Sequence, residues 1–216
     1  MKSGFSPLAV VLAALVLVLG GCGAPKSVPT GGDTLISNYP VRCITVLPVR
    51  KPLNPDDDMS PAATAEMARG IPVLDRLLRE QLAGRGDVRF VSGHQLAGLG
   101  EGLTPGEQAL VREAGKRFGC NAVLEVFLER YQERIGGEYA VEQPASVAFS
   151  YRLIGVDSGA VLCRGTFDEV QQSVAENIFA FGKARKRGFT WVTAEELLRE
   201  GLREKLSGCS YLVPAR

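Results

Sequence analysis

Asn121–Tyr131 reads NAVLEVFLERY, and this stretch decides how the chain is laid out. It opens with apolar residues on both faces, as a central strand does. Beyond Val123 it alternates, with Leu124, Val126 and Leu128 on one side and Glu125 and Glu129 on the other. It is the third strand of the chain, and it stands where the pattern changes from strands separated by helices to strands separated by turns.

Upstream, Val41–Val49 (VRCITVLPV) is β-branched and apolar, a first central strand. Ser60-Pro61 opens a helix with a cap and a proline in its first turn. Pro72 is expected to interrupt it. Ile71, Leu74, Leu78 and Leu82 then recur at helical spacing, and Gly84 and Gly86 end the run. Val88–Val91 is a short second strand, followed by a small helix around Gln95–Leu99. Thr104-Pro105-Gly106-Glu107 has the form of a capping box. The helix behind it packs through Leu110, Val111, Ala114 and Phe118, and Gly119 stops it.

Downstream, Gly136-Gly137 marks a hairpin. Ser146–Val156 and Ala160–Phe167 form a second one around Asp157-Ser158-Gly159. Thr193-Ala194-Glu195-Glu196 is another capping box, with Leu198, Leu202 and Leu206 facing the core. The expected fold class is α/β: a mixed, partly parallel sheet flanked by helices, with antiparallel hairpins in the C-terminal half.

The first 22 residues have a different character. Lys2 precedes an uncharged apolar run from Phe5 to Leu19, closed by Gly20-Gly21-Cys22. This is the layout of a secretion signal. About 15 apolar residues are too few to cross about 30 Å of hydrocarbon. The ending resembles the lipobox of bacterial lipoproteins, which implies that Cys22 carries acyl chains such as palmitate and becomes the mature N-terminus. Gly23, where aspartate would retain an enteric lipoprotein, favours the outer membrane by the same resemblance. The expected organisation is a signal peptide at 1–21, a lipidated Gly/Pro/Ser/Thr-rich tether at 22–40, and one domain at 41–216.

Removing residues 1–21 leaves 195, a single-domain length. Lys2 is the only charge removed, so 24 basic residues then face 24 acidic ones. A neutral chain argues against nucleic acid as a partner. Four cysteines remain: Cys43, Cys120, Cys163 and Cys209. Cys43 and Cys120 begin parallel strands, and Cys209 follows a helix that returns along the sheet. One disulfide is therefore expected among Cys43, Cys120 and Cys209, with Cys163 apart on its hairpin.

Little in the sequence points to catalysis. His94 is the only histidine, and Ser92 beside it does not make a triad. Asp56-Asp57-Asp58 lacks the glycine and further acid of a calcium loop and reads as a solvated loop, so no metal is expected. Gly182-Lys183 lacks the upstream glycine of a phosphate loop, and Ala184 replaces its Ser or Thr. No cofactor is expected. The stretch Glu176–Trp191 (ENIFAFGKARKRGFTW) has no assigned role. Phe179, Phe181 and Trp191 flank Lys183, Arg185, Lys186 and Arg187 there. It is a candidate partner surface. Aromatics capping the sheet beside solvated cations, or a lipid contact, are the other readings.

"ITVLPV" (Ile44–Val49), "LDRLLREQLAGRGDVRFVS" (Leu74–Ser92), "AGKRFGCNAVLEVFL" (Ala114–Leu128) and "FSYRLIGVDSGAVLCRGTF" (Phe149–Phe167) occur in this order. Together they resemble the TolB-amino-terminal-like domain, over about residues 41–208. That domain also occurs in the curli-secretion lipoprotein and in lipoprotein activators of penicillin-binding proteins. No propeller repeat follows the domain, and the tether is short. The resemblance implies a non-catalytic periplasm-facing lipoprotein, held to the membrane by its lipid, that binds a protein partner in envelope assembly or secretion. The alternatives are a periplasmic hydrolase or other envelope enzyme, and a subunit of a homo-oligomeric secretion ring.

Overall fold

Two crossovers running in opposite directions build the parallel half of the sheet. In the computed structural model, which describes residues 39–52, 59–100, 107–137, 141–171 and 192–213, β1 (Ile44–Val46) pairs in parallel with β2 (Val88–Phe90) on one side. On the other side it pairs in parallel with β3 (Ala122–Gln132). Helix α1 (Pro61–Gln81) links β1 to β2, while α2 (Gly93–Gly100) and α3 (Glu107–Phe118) link β2 back to β3. When the second crossover reverses direction, a shared right hand puts its helices on the face opposite α1. The two cores divide in this way. Residues of α1 cluster with Ile44 and Val46, and residues of α2 and α3 with Leu47 and Val123.

Two strands extend the sheet antiparallel: β6 (Ser146–Gly155) on β3, and β7 (Val161–Val170) on β6. The order is β2-β1-β3-β6-β7. A separate ribbon of β4 (Ile135–Gly136) and β5 (Val141–Gln143) joins β3 to β6. Helix α4 (Ala194–Ser207) lies beside α1 and over β6 and β7. The mixed α/β sheet flanked by helices is thus the architecture, with antiparallel pairing confined to the second half.

The larger core lies under α1 and α4. Leu74, Leu77 and Leu78 of α1 and Leu197, Leu198, Leu202 and Leu206 of α4 are buried against Leu124, Val126 and Leu128 of β3 and Val147, Phe149, Tyr151 and Leu153 of β6. Close approach depends on Gly201, where a Cβ would stand 2.6 Å from a Phe167 ring carbon. Thr193 caps α4 with a complete capping box. Its Oγ1 accepts the Glu196 N–H at 3.2 Å, and its own N–H donates to Glu196 Oε2 at 2.7 Å.

Two local expectations need correction. Pro72 does not interrupt the helix: α1 runs unbroken through it. Pro72 and Ala68, whose carbonyl loses its partner, are both exposed, so water can satisfy that oxygen. Burial of Met67, Gly70 and Leu74 on the inner face holds the two halves in line. The first strand is shorter than Val41–Val49. Pro48 has no N–H to donate, and pairing resumes only at an isolated bridge from Arg50 to Phe127. The hairpin expected at Gly136-Gly137 is present as the antiparallel pair β4–β5, with Gly136 opposite Val141. The proposed cap at Thr104 lies outside the described residues.

The cysteines form two bonds, Cys43–Cys120 and Cys163–Cys209, with Cα separations of 4.6 and 5.9 Å. Cys43–Cys120 is drawn from the expected three, but the expectation that Cys163 stands apart is overturned, since it bonds Cys209. Cys163 lies just past the β6–β7 turn, at the end of the sheet where β1 and β3 begin. Helix α4 covers β6 and β7 rather than β1, so it delivers Cys209 to Cys163. The bonds span 77 and 46 residues. In the loop-closure view each stabilises the fold by about 4 kcal/mol.

Candidate functional site

Two of the sequence candidates lie outside the described residues: the lipid-bearing Cys22, and the aromatic and basic stretch with Phe179, Phe181, Lys183, Arg185, Lys186, Arg187 and Trp191. Asp56-Asp57-Asp58 also lies outside them. His94 is exposed on α2. Ser92 is engaged locally: its Oγ accepts the Gln95 N–H at 3.3 Å while Gln95 Oε1 accepts the Ser92 N–H at 2.8 Å. That is helix capping, not nucleophile activation. Among the described residues, no group of three or more His, Cys, Asp or Glu side chains is placed to hold a metal. No described helix is long and apolar enough to cross a membrane.

The unusual chemistry lies on the sheet face turned away from α1 and α4. Near the start of β3 this face is apolar, where Val123 and Ile154 pack against α3. Farther along β3 it becomes charged. Glu125 carries a side chain with no exposed surface. Burial of a carboxylate is costly unless it is paired and hydrogen-bonded. Here Arg152 Nε donates to Oε2 at 2.8 Å from the position directly opposite on β6, and Arg50 Nη2 donates to Oε1 from the segment after β1.

Phe127, two residues on, completes the cluster. The Arg50 and Arg152 guanidinium carbons lie 5.0 and 5.3 Å from its ring centroid. Both are within cation–π range. Arg152 is also paired in register with Arg164 of β7. Like charges directly opposite on a sheet oppose pairing. Arg50 and Arg152 thus hold the two oxygens of Glu125, with Arg164 opposite Arg152 in the register. Beyond them Ser150 donates to Glu129, and Arg130 bonds Ser146 Oγ at 2.6 Å and pairs with Asp168.

Beside this cluster is a cleft of about 150 Å³, lined by Gln108, Val111 and Arg112 of α3, Arg152 and Ile154 of β6, and Gly159 and Val161. Its far wall is the β6–β7 turn. Gly159 closes that turn at φ +66°, a conformation that favours glycine. The Gly159 N–H donates to the Gly155 carbonyl at 2.8 Å, and the Gly155 N–H to Ala160 at 2.9 Å. A Cβ at Gly159 would lie 4.0 Å from Arg112 Nη2, so the Arg112 side chain rests against the turn. Two cations from separate elements thus border an apolar floor of Val111, Ile154 and Val161. Among the described residues, this lining holds no Ser, Thr, Cys or His side chain.

The sequence reading places Glu125 on the right face and misses its burial. Alternation tells which side of a strand a residue faces, not what else reaches that side. The partners Arg50 and Arg152 lie 75 and 27 residues away, and no local pattern links them.

No family model matches the chain, and no curated protein matches it. Among solved structures, it is similar to the PelC dodecamer from Paraburkholderia phytofirmans, at 16% identity and a TM-score of 0.44, over 87% of this chain and 96% of that one. It is similar to the LpoB C-terminal domain from Escherichia coli, at 15% identity and 0.35, over 64% and 90%. It is also similar to the lipoprotein GNA1162 from Neisseria meningitidis, at 16% identity and 0.32, over 68% and 93%. Bacterial lipoproteins are thus among its structural neighbours.

Proposed function

We propose that this protein is a non-catalytic, lipid-anchored lipoprotein of the bacterial envelope. Residues 1–21 are its signal peptide, Cys22 carries the lipid, 22–40 form the tether, and a TolB-amino-terminal-like domain at 41–216 faces the periplasm from the outer membrane. Its task is to bind a protein partner in envelope assembly or secretion.

The observation that carries this reading is the pair of disulfides behind a Leu-Gly-Gly-Cys signal ending. Structural disulfides persist in oxidising compartments and are rare in a reducing cytosol. Partner binding is supported by the arginine-rich sheet face, since arginine and aromatic side chains are common interface anchors.

Two experiments test the reading. Cys22→Ser should leave an unprocessed precursor, whereas the unaltered protein is processed and enters the detergent phase on extraction. Normal processing and partitioning of the variant would refute the lipid anchor. Crosslinking in intact cells, with the partner identified by mass spectrometry, should give one dominant envelope protein. Its failure would remove the partner.

A further inference from the structure

We infer that the end of the domain from which the tether leaves rests on anionic phospholipid headgroups, held there by Arg42, Lys116 and Arg117. The inference rests on the lipid-anchor reading for the presence of the membrane, though not for the geometry of this end.

A fixed point of attachment is the first ground. Asn121, at the start of β3, clasps the segment that leads in from the tether. Its Nδ2 donates to the Pro40 carbonyl at 2.7 Å, and its Oδ1 accepts the Arg42 and Cys43 N–H groups at 2.9 and 3.3 Å. The Tyr39 hydroxyl donates to the Asn121 carbonyl at 3.0 Å. The Tyr39 ring lies against Gly155, where a Cβ would stand 3.0 Å from a ring carbon. The Cys43–Cys120 bond ties the same two segments covalently. The chain therefore enters the domain at one place, the end of the sheet where β1 and β3 begin. Tyr39 follows Cys22 by 17 residues, which span at most about 60 Å. With its lipid at Cys22, the protein keeps this end toward the bilayer.

Charge is the second ground. Arg42 directly precedes Cys43, and Lys116 and Arg117 lie in the last turn of α3, just before Cys120. With the two cysteine Cα atoms 4.6 Å apart, the disulfide brings the three cations to one end. All three are exposed. Among the described residues none of them has an ion-pair partner. The arginines on the outer side of α1 and α4 differ: Arg76, Arg79 and Arg199 are spent on Glu80, Asp75 and Glu195. At the tether end Asp87 is engaged by Arg85, and Glu204 by Lys205. One turn farther up α3, Arg112 and Glu113 cancel. Asp157 on the β6–β7 turn is exposed and opposes one of the three cations. The end thus carries a net positive charge among the described residues.

This charge selects the occupant. A basic patch beside a lipid anchor adds electrostatic attraction to the burial of acyl chains. The attraction acts within about a Debye length, roughly 10 Å, of an anionic surface. The tether holds the patch where it can come within that range. Ile135 and Val170, two large exposed apolar residues, lie at the opposite end of the sheet. Contact at the tether end is therefore with headgroups and not with acyl chains.

The test uses the full mature protein, lipid included, added to preformed phosphatidylcholine vesicles with or without phosphatidylglycerol. An amine-acylating ester, read by mass spectrometry, reports how fast Lys116 and Lys51 react. Lys51 is exposed beyond the far end of β1 and serves as the internal control. Lys116 should react at least about 3-fold more slowly when phosphatidylglycerol is present, and Lys51 should not change. High salt should remove the protection by screening the surface. Arg42→Gln combined with Arg117→Gln should remove it too, with the thermal midpoint unmoved because both side chains are exposed. Equal Lys116 rates in the two kinds of vesicle, protection of Lys51 in its place, or full protection in the double variant would each overturn the inference. So would protection that follows protein density rather than lipid composition, which would make the patch a contact between copies. Flotation separates the two readings. A protein that floats with both kinds of vesicle while Lys116 reacts equally keeps its anchor and loses the patch. One that floats only with phosphatidylglycerol keeps the patch and loses the anchor, and one that floats with neither loses both.

Discussion

The two faces of the sheet solve opposite problems. Under α1 and α4 the sheet is dry and apolar, with Leu124, Phe149 and Leu153 fully buried. On the other face, among the described residues, α2 and α3 pack over the part around Leu47, Val123 and Ile154. The rest holds a buried carboxylate, the guanidiniums around it and a cleft. Apolar burial is non-directional and supplies stability. Paired charges near a surface add little net stability but fix the positions of donors. The first face therefore accounts for folding, and the second has the character of a recognition surface.

That division can be broken by substitution. Phe149 stacks on Phe167 at 5.5 Å between ring centroids, under α4. Phe149→Ala should cost about 3–5 kcal/mol in reversible denaturation, from lost transfer energy and a residual cavity. The folded fraction should keep its cellular crosslink to the partner. Loss of the crosslink in folded protein would show that the faces are coupled.

Arg152→Ala should reverse the pattern. It removes one of the two guanidiniums named on the buried Glu125 and leaves that of Arg50 in place. Breaking a fully buried pair costs about 3–5 kcal/mol, but the Arg152 side chain is 31% exposed, so about 2 kcal/mol is expected. The cellular crosslink should weaken as well. An unchanged crosslink would make the cluster purely structural.

The smallest effect belongs to pH. Burial pushes the Tyr151 hydroxyl up to about 12, and the hydroxyl donates to the Lys205 carbonyl at 3.0 Å. An unfolded tyrosine titrates near 10. Below pH 10 both states keep the proton, and the contribution is complete. Between about 10 and 12 the unfolded chain alone loses it, so stability falls as pH rises. Tyr151→Phe should flatten the fall of the thermal midpoint over that window. An identical slope in the variant would place the alkaline sensitivity elsewhere.

The succession of strands and helices along the chain was legible because it rests on local signals. Alternation in β3, the Asp157-Ser158-Gly159 turn and the Thr193 box each involve neighbours in sequence. What escaped the sequence depends on distance in the fold. Pro72 reads as a break until the burial on either side is known. The Cys163–Cys209 bond follows from which strands α4 covers, and that is set by packing. The pairing of Glu125 with Arg50 and Arg152 needs three strands brought together.

The most direct test of the account is site-resolved crosslinking in intact cells. A photo-crosslinking residue is introduced at Gln108, on the cleft, and separately at Arg203, on the exposed side of α4. The account predicts an adduct with one envelope protein from Gln108 and none from Arg203. The same adduct from Arg203 and none from Gln108 would contradict it, because the partner would then sit on the face assigned to folding.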